Sequence, residues 1–79
     1  MTKAEELELK SFENVRLQIM DLIEKEVARG NTKVTLSYKF FKGNNKLLKY
    51  ILETIPQDGF VIRLYEARME IRWSDNERG

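Results

Sequence analysis

The sequence predicts an α+β fold: a two-layer sandwich of element order α-β-α-β-β, with a three-stranded mixed sheet and both helices on one face. Three observations carry this. Apolar residues recur at helical spacing over residues 2–29 and 44–55, and they alternate over 32–39, 60–65 and 68–73. Each alternating stretch has only one apolar side, so a single layer of helices suffices to cover the sheet. With 79 residues the chain has room for one domain, residues 1–79.

The first helix opens on Thr2 and Glu5, which have the spacing of a capping box, and Gly30 with Asn31 supplies a stop that tolerates a left-handed backbone. With Phe12 at zero and ~100° per residue, Leu9, Val15, Ile19, Met20, Leu22, Ile23 and Val27 fall within ~80° of it. Arg16 and Glu26 lie inside this stripe, where their stems are expected to cover apolar neighbours while the charges reach water. The first strand sets Val34, Leu36 and Tyr38 on one side and Lys33, Thr35, Ser37 and Lys39 on the other. Phe40 and Phe41 are adjacent, so only one can point inward from a regular strand. Asn44 can cap the second helix, which buries Leu47, Leu48, Ile51, Leu52 and Ile55 and ends at 55, ahead of Pro56.

Asp58-Gly59 makes a turn into a hairpin. Parity sets Leu64 opposite Met69, Ile62 opposite Ile71, Phe60 opposite Trp73, and Arg63 opposite Glu70 as a favourable charge pair. The tip is either a two-residue turn at Glu66-Ala67 or a four-residue loop from Tyr65 to Arg68. The crossover from the first strand through the second helix is expected to be right-handed and parallel, which makes the sheet mixed. Residues 74–79 are polar and expected to fray.

Composition excludes much chemistry. The chain has no cysteine and no histidine, so thiolate nucleophiles, disulfides, the common zinc sites and the usual neutral-pH base are absent. Gly43 stands alone, without a phosphate-binding glycine loop around it. The expectation is a protein that is not an enzyme, holds no metal and uses no cofactor. No apolar run reaches the ~18 residues of a membrane span, and the first ten residues are too charged for a secretory signal, so the expected compartment is the cytoplasm.

Charge is uneven along the chain. Residues 32–50 hold five lysines and no acid, whereas acids outnumber cations on both sides of that stretch. Folded as above, Lys33, Lys39, Arg63, Arg68 and Arg72 share the open sheet face with Tyr65 and Val61, against Glu70 alone. This mixture of cations and an aromatic fits a binding surface, though exposed sheets also carry such cations for solubility. Lys42, Gly43, Asn44, Asn45 and Lys46 form a second candidate, an anion site where lysines meet the free amides of a helix start. The plainer reading is an ordinary Asn cap. Leu7, Leu9 and Phe12 form a third candidate, for self-association: a helix over 3–29 runs ~40 Å, longer than a small sheet can cover.

The hairpin segments Gly59-Phe60-Val61-Ile62 and Met69-Glu70-Ile71-Arg72-Trp73, following a charged amphipathic helix, resemble small accessory proteins of tailed bacteriophages, across residues 10–74. The resemblance implies an origin, with the host cytoplasm as the compartment, and not an activity; phage proteins of this size commonly act by binding and disabling a host protein or by sequestering a nucleotide signal. It transfers no site residue. The first expectation is therefore a non-enzymatic accessory protein that binds a host protein as an inhibitor or anti-defence factor. The second is a binder of a phosphate-bearing ligand, either a nucleotide or single-stranded nucleic acid. A homodimer is expected alongside either.

Overall fold

A computed structural model describes residues 1–73. The elements are α1 (Lys3–Ala28), β1 (Lys33–Ser37), a 3-10 turn (Tyr38–Phe41), α2 (Asn45–Thr54), a second 3-10 turn (Ile55–Asp58), β2 (Val61–Leu64) and β3 (Arg68–Arg72). The order matches the sequence reading, and the fraying expected at 74–79 lies outside the described residues.

Local chemistry explains the element ends. The Thr2 hydroxyl accepts from the Glu5 amide and the Glu5 carboxylate accepts from the Thr2 amide, so the capping box forms. At the other end Gly30 takes φ 85°, and the Glu26 carboxylate, half-buried, accepts from Asn31 at 2.6 Å and Arg29 at 3.2 Å. Glu26 lies in the apolar stripe and is tied to the helix end rather than simply solvated. Asn44 caps α2 by accepting from the Leu47 amide at 3.0 Å. Pro56 does not push Ile55 out of the helical region: Ile55 sits at φ −60°, ψ −44°, and the chain tightens into a 3-10 turn with Pro in its first positions.

β1 is shorter than the alternation predicts. The Ser37 hydroxyl accepts from the Lys39 amide and starts a 3-10 turn, so Tyr38 and Lys39 leave the strand. That turn rotates Phe41 into the core and leaves Phe40 half-buried, edge-on to it at 5.5 Å.

The sheet order is β1-β3-β2, and both ladders are antiparallel. This corrects the expected mixed sheet. β1 and β2 do run parallel to each other, but β3 lies between them, paired with both. The arrangement gives the central place to the strand with the most deeply buried residues, Met69 and Ile71. The hairpin register is the expected one, with Ile62 opposite Ile71, Arg63 opposite Glu70 and Leu64 opposite Met69, and Phe60 meets Trp73 edge-on at 6.5 Å.

At the hairpin tip no residue has positive φ, which excludes a type I′ turn. The Tyr65 amide donates to the Arg68 carbonyl at 2.8 Å, and the Tyr65 carbonyl accepts instead from the Tyr38 hydroxyl at 2.7 Å.

The core lies between the helices and one sheet face: Phe12, Ile19, Ile23, Phe41, Leu47, Ile51 and Ile55 above Val34, Leu36, Met69 and Ile71. α1 outruns it. The molecule is 46 Å long and every residue through Ser11 is exposed.

Candidate functional site

The sheet has one face against the core and one without any covering element among the described residues. On the open face the registers set three cross-strand rows: Ser37 beside Arg68, Thr35 beside Glu70 beside Arg63, and Lys33 beside Arg72 beside Val61. Glu70 therefore sits among Lys33, Arg63 and Arg72, with Arg68 one row away. It is only 6% exposed on the face that water reaches, because those long side chains cover it. Lys33 Nζ lies 3.2 Å and an Arg72 guanidinium nitrogen 3.6 Å from its two carboxylate oxygens. The Lys33 hydrogen bond, with the charges of Lys33, Arg72 and Arg63, holds the Glu70 carboxyl below its ordinary range, while burial works the other way. Glu70 Oε1 and Arg72 Nε are both buried without hydrogen-bond partners, so this pairing is incomplete.

Arg63 and Arg68 are exposed. The Arg68 guanidinium lies 4.5 Å from the centre of the Tyr65 ring, so the aromatic is already stacked on a cation. Of the expected face residues, Lys33, Arg63, Tyr65, Arg68 and Arg72 come together. Lys39 does not: the turn begun by Ser37 carries it to a groove with Phe40, Phe41, Lys42, Asn44 and Val15, of about 550 Å³. The alternation of residues runs formally through Lys39, but the strand ends two residues earlier.

The expected anion site is an ordinary capped helix start with two unusual turns before it. Lys42 and Gly43 take φ 52° and 73°, and Asn44 spends its side chain on the Leu47 amide. Lys46 lies near α1: Glu5 is held below its usual range by its bonds to Thr2 and, more weakly, by the Lys46 charge. No buried polar group is directed at Asn45. Of the self-association residues, Leu7 and Leu9 are exposed, but Phe12 is not; it is 6% exposed and packs on the Tyr50 ring at 5.6 Å. Two residues apart on a helix is ~200°, so Leu7 and Leu9 point to opposite sides and form no common stripe.

Sequence reasoning misses one polar cluster. Arg16 binds Glu13 through two nitrogens and lies 3.6 Å from Asp58, and the Tyr50 hydroxyl donates to Glu13 at 2.7 Å. The Arg16 bonds, then Tyr50, bring the Glu13 carboxyl from 4.5 to about 2, and Glu13 in turn raises the Tyr50 phenol. The cluster ties α1 to α2 and the second 3-10 turn. Its i,i+3 pair was visible in the sequence, but its two long-range members were not.

Comparison with protein-family models, curated proteins and solved structures finds no match. The described residues hold no group of acids that could bind a metal and no helix long and apolar enough to cross a membrane. Fold and site together define a two-layer α+β domain whose arginine-rich sheet face is uncovered among the described residues.

Proposed function

We infer that the chain is a non-enzymatic accessory protein that binds an acidic surface of a partner protein through its open sheet face, in the manner of small phage proteins that occupy a host protein. The observation that carries this is a set of four cations on a face the core does not need, three of them around one carboxylate. Three of the four are arginines, and Tyr65 and Val61 stand among them. Arginine and tyrosine are the residues enriched at protein interfaces, where guanidinium groups meet carboxylates in fixed geometry. The face offers a nucleic acid little stacking: its one aromatic is exposed only in part and already carries Arg68.

The test removes the two exposed arginines, Arg63→Gln with Arg68→Gln, and leaves Arg72 to hold Glu70. The wild-type chain should retain a stoichiometric protein partner from nuclease-treated host lysate, and the double variant, folded by circular dichroism, should lose it. A double variant that retains the partner overturns the assignment to this face. Recovery of nucleotide or single-stranded nucleic acid instead, with binding that falls steeply with salt, would replace the protein reading with the phosphate reading.

A further inference from the structure

Among the described residues no strand pairs with the outer edge of β1, and its main chain is already arranged for another strand. The Trp73 amide donates to the Thr32 carbonyl. With Val34 opposite Ile71 and Leu36 opposite Met69, this fixes which β1 residues bond inward to β3. Lys33, Thr35 and Ser37 therefore aim their amides and carbonyls away from the sheet. A groove of about 400 Å³ runs beside them, lined by Thr32, Lys33, Val34 and Thr35 with Asn31 and Glu26. Consecutive strand residues point to opposite faces, so all four can line one groove only if it follows the strand's edge.

The geometry points to a second copy of this chain as the occupant, pairing β1 antiparallel with itself about Thr35. In that register Thr35 meets Thr35, Lys33 meets Ser37 and Val34 meets Leu36 of the second copy. No like charges face each other, and the three outward positions form three hydrogen-bonded pairs within the strand.

The opposite edge of the sheet lacks this fit. The outward residues of β2 are Ile62 and Leu64, because the Tyr65 amide bonds inward to Arg68. A two-fold at Ile62 requires Phe60, outside the strand, to pair with Leu64, and a two-fold at Arg63 sets arginine on arginine. The helix start fits no better, since Leu7 and Leu9 share no face.

A two-fold through Thr35 stands perpendicular to the sheet. It makes one six-stranded sheet with all four helices on one side and the two basic faces continuous on the other. Three strand spacings separate the two β3 strands, which places the two Glu70-centred clusters ~14 Å apart. The dimer stands or falls independently of the partner proposed above, because its test needs no partner.

The chain has no cysteine, so single cysteines report contacts between copies directly. Residues opposite each other in a hydrogen-bonded pair have Cα atoms ~5.5 Å apart, within the disulfide range. Under mild oxidation Thr35→Cys should form a covalent dimer at least about tenfold faster than Val61→Cys on the other edge or Leu9→Cys at the helix start. Sedimentation should show a wild-type dimer at high micromolar concentration. Thr35→Lys, which sets two ammonium groups face to face, should raise its dissociation constant by about tenfold. Ser37→Asp keeps a capping oxygen for the Lys39 amide and meets Lys33 of the second copy, so it should tighten the dimer at low salt. A wild-type monomer, cross-linking no faster at position 35 than at 61 or 9, or a dimer insensitive to Thr35→Lys overturns the proposal.

Discussion

The two faces of β3 exclude water by opposite means. On one face Met69 and Ile71 are fully buried beneath the helices, packed among Val34, Leu36, Ile19 and Ile51. On the other, Glu70 is nearly as hidden, yet what covers it is a thin layer of lysine and arginine stems, two of whose charges it pairs with. The first kind of burial is non-directional and scales with apolar area, so it stabilises the fold. The second needs matched charges and leaves two polar atoms without bonds, so it orders a surface more than it stabilises a core. A strand that is hydrophobic on one side and charge-paired on the other can hold the domain together and present cations in fixed positions.

The largest effect should come from breaking the apolar face. Ile71→Ala removes a fully buried side chain from the central strand and should lower stability by roughly 2–5 kcal/mol, measured by urea unfolding. Arg68→Ala, one row away on the open face, should change it by no more than about 0.5 kcal/mol. If the two losses were similar, the faces would not differ in the way described.

Glu70→Gln breaks the other side. Removing the carboxylate leaves Lys33, Arg63 and Arg72 facing one another, and the fold should weaken by less than in Ile71→Ala. The acid is held below its unfolded value, so its contribution is complete above that value and fades as pH falls through the lowered one. Glu70→Gln should therefore flatten part of the acid limb of the stability curve. An acid limb identical to wild type would show that the surrounding cations do not stabilise the carboxylate.

How much of this was legible follows from distance along the chain. The α2 stripe and the hairpin register rest on neighbours within about a dozen residues, and parity alone placed Arg63 against Glu70. The pairing of β1 with β3 joins Lys33 to Arg72, and nothing local distinguishes that sheet order from a parallel β1–β2 ladder. Lys39 was misplaced because alternation cannot show where Ser37 will cap a turn instead of continuing a strand. Tyr38 likewise looks like the last inward residue of a strand, while its hydroxyl in fact closes the far hairpin at Tyr65.

The Glu13 cluster extends the contrast to polar groups between helices. Its carboxyl titrates at about 2 in the folded chain against an ordinary 4.5, so its contribution is full above the ordinary value and lost as pH falls from there toward 2. The side chain is 38% exposed, and solvent screening limits the contribution to about 1 kcal/mol or less. Glu13→Gln should remove that share of the acid sensitivity. Tyr50→Phe, which loses the 2.7 Å bond but keeps the ring on Phe12, should cost about 1 kcal/mol at neutral pH. A pH-independent difference between Glu13→Gln and wild type would assign the cluster's role to packing alone.

The smallest effects separate a packed helix start from an overhanging one. Asn44 and Thr2 make the same kind of bond, a side-chain oxygen accepting from the amide three residues on, at 3.0 and 3.2 Å. Asn44 starts a helix whose first turn already buries Leu47, so losing the cap strains a segment the core holds in place, and Asn44→Ala should cost about 1 kcal/mol. Thr2 caps a stretch of α1 that stays exposed through Ser11. That stretch can fray without disturbing Phe12, Ile19 or Ile23, so Thr2→Ala should cost only a few tenths of a kcal/mol in global unfolding, about the low end of cap losses. Its effect should appear instead as faster hydrogen exchange of the first α1 amides, with the amides around Ile19 unchanged. A global loss from Thr2→Ala equal to that from Asn44→Ala would mean that the overhang folds and unfolds as one unit with the core.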